Sequence, residues 1–145
     1  MAYTVNKVDM WSGAIDDRVG GLAAKLEPLA NARVDLEVAI ARRQPHLPGK
    51  GAVFVGPVTG AKAQKAAEAA GLTKATDLAG LRVEGPNKPG ESHRLTRLLA
   101  DAGINLRGLS AIALGNKFVA ALAFDNEADA SKAASVLRGA GDKKK

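Results

Sequence analysis

Apolar positions along the chain recur at two spacings, and the changes of spacing mark its elements. The stretch 2–11 sets Tyr3, Val5 and Val8 among polar residues, as a strand does. From Val19 to Ala32 the leucines Leu22, Leu26 and Leu29 return every three or four residues, the stripe of an amphipathic helix. Val34, Leu36, Val38 and Ile40 then alternate with Asp35, Glu37 and Ala39, which predicts a half-buried strand. The proline- and glycine-rich segment 44–51 is a loop, and Ala52–Val55 supplies the partner strand. Ala61 to Ala70 is rich in strong helix formers and stops at Gly71.

The same order then returns. Leu78–Glu84 reads as a strand, Ser92–Ala102 as a helix with Leu95, Leu98 and Leu99 inward, and Ile104–Leu114 with Lys117–Phe124 as a strand pair across Gly115-Asn116. Asn126 caps a last helix running to about Leu137. An ungapped shift of 70 residues lays Gly20 on Gly90, Leu29 on Leu99, Ala32 on Ala102, Val34 on Ile104 and Leu36 on Leu106, so the chain is an internal duplication. Two tandem β-α-β-β-α units predict an α+β fold of two ferredoxin-like (βαββαβ-type) repeats, antiparallel sheets with helices on one face. The expected divisions are 1–73, 74–140 and a basic, disordered tail at 141–145. Residues 73–85 must end one repeat and begin the next, and are expected to form one long strand. Too little chain follows Leu137 for a fourth strand in repeat 2. The edge left unpaired by that shortage predicts a homodimer.

Composition narrows the chemistry. The 145 residues contain no cysteine, which removes disulfides, thiolate zinc sites and thiol nucleophiles, and His46 and His93 are too few for a histidine metal site. The longest apolar run, Phe118–Phe124, is far shorter than a membrane span, and Lys7, Asp9, Asp16, Asp17 and Arg18 break up any secretory signal, so a cytoplasmic location is expected. Half of the net charge of +6 sits in Lys143, Lys144 and Lys145, which weakens a general argument for nucleic acid. Nothing in the chain resembles a phosphate loop, a nucleophile elbow or a metal motif; no cofactor and no catalytic residue is expected.

The segment Gly85-Pro-Asn-Lys-Pro-Gly90 joins a strand to a helix, and Pro89 and Gly90 shape a turn where backbone N–H groups and the helix dipole suit a carboxylate. Asn87 and Asn105 are expected to meet there, offering both donors and acceptors to the ammonium and carboxylate of an α-amino acid. The alternative is that both asparagines only cap their loops. Asn87-Lys-Pro-Gly90, followed at the right distance by Gly103-Ile-Asn-Leu106, resembles the ACT-domain family, small βαββαβ modules that bind amino acids and regulate enzymes or transcription factors. Asp35-Leu-Glu-Val-Ala-Ile-Ala-Arg-Arg43 and Leu106-Arg-Gly-Leu-Ser110 resemble a group of tandem, stand-alone members. The resemblance implies a non-catalytic regulator with Asn87, Lys88, Pro89, Gly90, Asn105 and Leu106 around an amino-acid ligand, and a regulated protein as partner.

Repeat 1 keeps the frame and alters the site. Arg18-Val-Gly20 replaces Lys-Pro-Gly, and the two asparagines become Asp17 and Asp35, which as ionised groups cannot donate. A second site at Asp17, Gly20 and Asp35 would therefore differ in kind; solvated loop acids are the plainer reading than a paired-carboxylate dyad. His93 is expected at the surface and Trp11 in a core or interface. Two other classes stand beside the sensor. One is a dimerisation module without ligand. The other is an RNA-binding ferredoxin-like protein, poorly provided for because Phe118 and Phe124 are the only aromatics on their strand.

Overall fold

The computed structural model describes residues 3–140. Eight strands and four helices follow in the order β1 (Thr4–Val8), β2 (Trp11–Asp16), α1 (Gly21–Asn31), β3 (Val38–Arg43), β4 (Lys50–Gly56), α2 (Ala61–Ala69), β5 (Thr73–Lys74), β6 (Ala79–Pro86), α3 (Glu91–Asp101), β7 (Gly108–Leu114), β8 (Lys117–Phe124) and α4 (Glu127–Gly139). They build two compact units, each around one four-stranded antiparallel sheet. One sheet has the order β3-β4-β2-β5, the other β1-β6-β8-β7. Counted within each β-α-β-β-α-β unit, both are the ferredoxin-like order, and the duplication is real.

The N-terminus departs from the expected division. Residues 2–11 are not one opening strand. β1 pairs with β6, Thr4 opposite Glu84 and Val8 opposite Gly80, whereas β2 opens the other unit against β4. The fourth strand expected to be missing from repeat 2 is therefore β1, delivered from the front of the chain. Residues 9–75 form one unit, and residues 3–8 with 76–140 form the other, in place of a single cut after residue 73. The physical reason is the edge of β6. Its Leu81 and Val83 are buried, and β1 both closes their ladder and adds Tyr3 and Val5 to the same core. The stretch 73–85 is likewise not one strand, because the chain bends at Thr76 and Asp77 between β5 and β6. The Asp77 carboxylate accepts from Arg107 at 3.2 Å, holding that bend.

Two strands begin later than alternation predicts. Val34 and Leu36 precede β3, and Ile104 and Leu106 precede β7; all four pack on the cores from connecting chain, so their period of two reflects burial without a ladder partner. Gly20 and Gly90 cap α1 and α3 in the left-handed region (φ 85° and 87°), where a Cβ is disfavoured. Other expectations hold at the residue level. The Asn126 side chain accepts from the Asp129 N–H at 2.8 Å and caps α4. Trp11 is buried in the core of the 9–75 unit with Leu29, Val53 and Val55. The other core runs from Tyr3 and Val5 through Leu95, Leu99 and Leu122 to Leu137. The tail at 141–145 lies outside the described residues.

A chain of residues 76–145 lacks β1 and loses the burial of Tyr3 and Val5, each worth roughly 1.5–3 kcal/mol. It is expected to melt far below the full chain in circular dichroism. Rejoining residues 1–9 after Lys145 through a flexible linker should recover most of the loss; equal melting of the two pieces would show that β1 contributes little.

Candidate functional site

β6 runs out at Pro86, and the next four residues turn the chain into α3. The Asn87 N–H donates to the Asn116 carbonyl at 2.9 Å, fastening this loop to the β7–β8 hairpin turn. Gly90 provides no side-chain cap, so N–H groups of the first turn of α3 have no intrahelical acceptor. Beside them lies a pocket of about 280 Å³ lined by Asn87, Lys88 and Gly90, by Glu91 and Ser92, and by Ala111–Ala113 of β7 over Phe118. Lys88 and the helix start make its mouth electropositive, while the β7 side is apolar.

Glu91 sits at the inner wall of the pocket and is only 7% exposed. Its carboxylate accepts from the Tyr3 hydroxyl at 2.8 Å and lies 3.7 Å from the Arg94 guanidinium, which itself rests 5.0 Å from the centroid of the Tyr3 ring. A carboxylate is thus buried with both a neutral donor and a cation beside it. Gly85 makes room for the ring: a Cβ there would stand 2.7 Å from Tyr3 Cδ1. Burial, with the Glu91 carboxylate as hydrogen-bond partner and negative neighbour, pushes the Tyr3 phenol up to about 12.

The structure brings together some of the expected residues and separates others. Asn87, Lys88 and Gly90 share the pocket, with Pro89 exposed in the same loop. Asn105 and Leu106 do not reach it. Asn87 precedes α3 and Asn105 follows it, so the helix, of eleven residues and about 16 Å at 1.5 Å per residue, stands between them. Asn105 is exposed, and Leu106 packs on the core. In the other unit Asp17 is held by Arg43, with Nε to Oδ2 at 2.6 Å, while Asp35 is exposed beyond the far end of α1; the two do not form a dyad. Gly20 keeps the turn geometry of Gly90, but Val19 beside it is fully exposed. His46 and His93 are exposed, and among the described residues no cluster of His, Asp and Glu could hold a metal. Phe118 and Phe124 are buried on the helix-covered face, at 5% and 0% exposure, so neither can stack a base. No described helix is long and apolar enough to cross a membrane.

Sequence reasoning passed over Glu91, Ser92, Phe118 and Tyr3 as parts of this site. Glu91 had a local signal, an acid immediately after Gly90 in the first turn of a helix. Tyr3 had none, since its partner is reached only through the pairing of β1 with β6.

No protein-family model matches the chain, and no curated protein matches its sequence. Solved structures do match its fold. Protein BT0572 from Bacteroides thetaiotaomicron is 19% identical, with 96% of this chain and 90% of that one covered at a TM-score of 0.72. The ligand-free regulatory subunit of aspartate kinase from Thermus thermophilus is 15% identical, with 98% and 96% covered at 0.67. Aspartate kinase from Clostridium acetobutylicum, also 15% identical, matches 97% of this chain with 34% of its own length at 0.66. At these identities the likeness is one of fold. The chain carries two ferredoxin-like modules in tandem.

Tyr3 is the sole tyrosine, so phenolate absorbance reads it alone. Its ionisation is expected near 12 and not at the ordinary value of about 10. Because the folded value is the higher one, the stabilisation is complete below pH ~10 and is lost as pH rises toward 12. Tyr3→Phe should lack that alkaline loss and be less stable at neutral pH by about 0.5–3 kcal/mol. A normal titration midpoint in the folded protein would contradict the Tyr3–Glu91 contact.

Proposed function

We propose that the chain is a non-catalytic, cytoplasmic sensor of a free α-amino acid, acting as a homodimer that passes occupancy of its pocket to a regulated protein. The observation that carries this reading is the pocket at the start of α3. Uncapped N–H groups and Lys88 suit a carboxylate, the Asn87 amide can accept from an ammonium, and Ala111, Ile112 and Phe118 leave an apolar recess for a side chain. Its volume of about 280 Å³ suits one small amino acid. The fold shared with a regulatory subunit of aspartate kinase supports a regulatory role.

The dimer rests on a different edge from the one the sequence pointed to. With β1 covering β6, the edges of that sheet are β1 and β7; β1 carries the charged Lys7, whereas β7 has Leu109, Ile112 and Leu114 exposed and bears no charged residue. Two β7 strands paired antiparallel satisfy each other's backbone and juxtapose no like charges. The pairing would also bring a second copy beside Ala111–Ala113, at the rim of the pocket.

A thermal-shift screen of the proteinogenic amino acids should find a stabilising ligand, since a ligand bound only by the native state raises apparent stability. Leaving one buried ligand group unpaired costs ~1–3 kcal/mol, so Asn87→Ala should weaken binding about 5- to 150-fold in calorimetric titration. Asn105→Ala and Asp35→Ala should bind like the wild type. A loss confined to Asn105→Ala would move the site to the other end of α3, and a screen without hits would favour a dimerisation module.

Ile112→Arg puts like charges side by side across the proposed β7 pairing and should yield a monomer in light scattering at tens of micromolar. An unchanged mass for this variant, or a monomeric wild type, would reject the β7 dimer.

A further inference from the structure

Glu91 is drawn two ways. The start of α3 favours a negative charge turned outward, toward its free N–H groups, whereas Tyr3 and Arg94 hold the carboxylate inward. Glu91 donates its own N–H to the Lys88 carbonyl at 3.2 Å and Arg94 donates to that of Gly90 at 2.9 Å, while the N–H groups of Ser92 and His93 have no backbone acceptor among the described residues. Those two donors are what a ligand carboxylate would take. They are equally where the macrodipole would place an acid of the helix itself. The Glu91 carboxylate is instead given to the Tyr3 hydroxyl at 2.8 Å, with the Arg94 guanidinium 3.7 Å away.

Stability alone does not call for this arrangement, because a buried ion pair can often be replaced by apolar side chains of similar volume at no loss. The sister unit shows the frame without it. The shift of 70 residues sets Gly21 at the position of Glu91, Ala24 at that of Arg94, and Ile15 at that of Gly85, whose missing Cβ makes room for the Tyr3 ring. Acid, cation and ring seat thus occur together in the unit with the pocket at α3, and none stands at the matching place in the other.

We propose that Tyr3 is a positioning residue of that pocket: by drawing the Glu91 carboxylate inward, it keeps the start of α3 open to the carboxylate of a ligand. Tyr3 leads into β1, so affinity at the pocket depends on the docking of a strand from the front of the chain. By linkage, a carboxylate held at Ser92 and His93 tightens the Tyr3–Glu91 contact by the same factor. This role deepens the reading of the pocket as a carboxylate site and rests on it.

The test compares the full-length wild type with Tyr3→Phe, Glu91→Gln and the double variant. Each is titrated with sodium acetate at constant ionic strength and followed by the amide chemical shifts of Ser92 and His93. Tyr3→Phe keeps the ring and removes only the donor, and should bind acetate about two- to fivefold more weakly, the range of one charge at a helix terminus. Glu91→Gln should bind at least as tightly as the wild type, and the double variant should recover the wild-type affinity. A merely structural role of Tyr3 would give no such recovery. The proposal is overturned by undiminished binding in Tyr3→Phe, by a double variant as weak as Tyr3→Phe, by weaker binding in Glu91→Gln, or by shifts that saturate in none of the four proteins. Acetate binding in the expected order, with no shift of these amides by any proteinogenic amino acid, would reject the amino-acid reading and leave the role of Tyr3 standing. An amino acid that binds the wild type and Tyr3→Phe equally would do the reverse.

Discussion

Strand β6 hydrogen-bonds on both sides, to β8 from its own repeat and to β1 from the front of the chain, and the second of these pairings governs the rest of its unit. Leu81 and Val83 need a covered edge to be buried, and β1 supplies it together with the apolar weight of Tyr3 and Val5. The contact then extends beyond the sheet. From the end of β1 the Tyr3 hydroxyl reaches the first residue of α3, so the strand that closes the core also fixes the helix start beside which the pocket lies.

Electrostatics at that helix start follow from where Glu91 points. An acid in the first turn is favoured by the helix dipole, and on the surface it would compete with an anion for the free N–H groups. Here it is turned inward and satisfied by Tyr3 and Arg94. The other unit has glycine at the same position and keeps its acid, Asp16, one strand-end away among cations. Two copies of one frame thus present different charge patterns at corresponding places, because a few side chains around α1 and α3 diverged while Gly20 and Gly90, Leu29 and Leu99 stayed fixed.

Local features of the chain were legible in advance. Gly90 in the turn at the start of α3, Asn126 as a side-chain cap and the inward leucines Leu95 and Leu99 all express constraints spanning a few residues. The ferredoxin-like order was legible too, since it follows from the succession of elements. What escaped was long-range. Thr4 faces Glu84, and no periodicity near either residue names the other. Asn105 was set beside Asn87 on the argument that helix and strand run out and back; they do, but β7 begins only at Gly108, and the connecting loop leaves Asn105 at the far end. Val34 and Leu36 alternate like a strand because they cover a core, and the absence of a neighbouring backbone is not written in the alternation.

The interleaved connectivity also orders events in time. As the chain leaves the ribosome, residues 9–75 can close on themselves once Lys74 has emerged, whereas β1 has no neighbour until β6 follows. Through that interval a nascent strand with Tyr3, Val5 and Val8 on offer must avoid wrong partners. The charged Lys7, with Thr4 and Asn6, interrupts its apolar run, and a charge so placed disfavours strand–strand association. In the finished sheet the same lysine reaches α4, donating to Ser131 at 3.1 Å, so the charge that interrupts the strand's apolar run also ties it to a helix of its own unit.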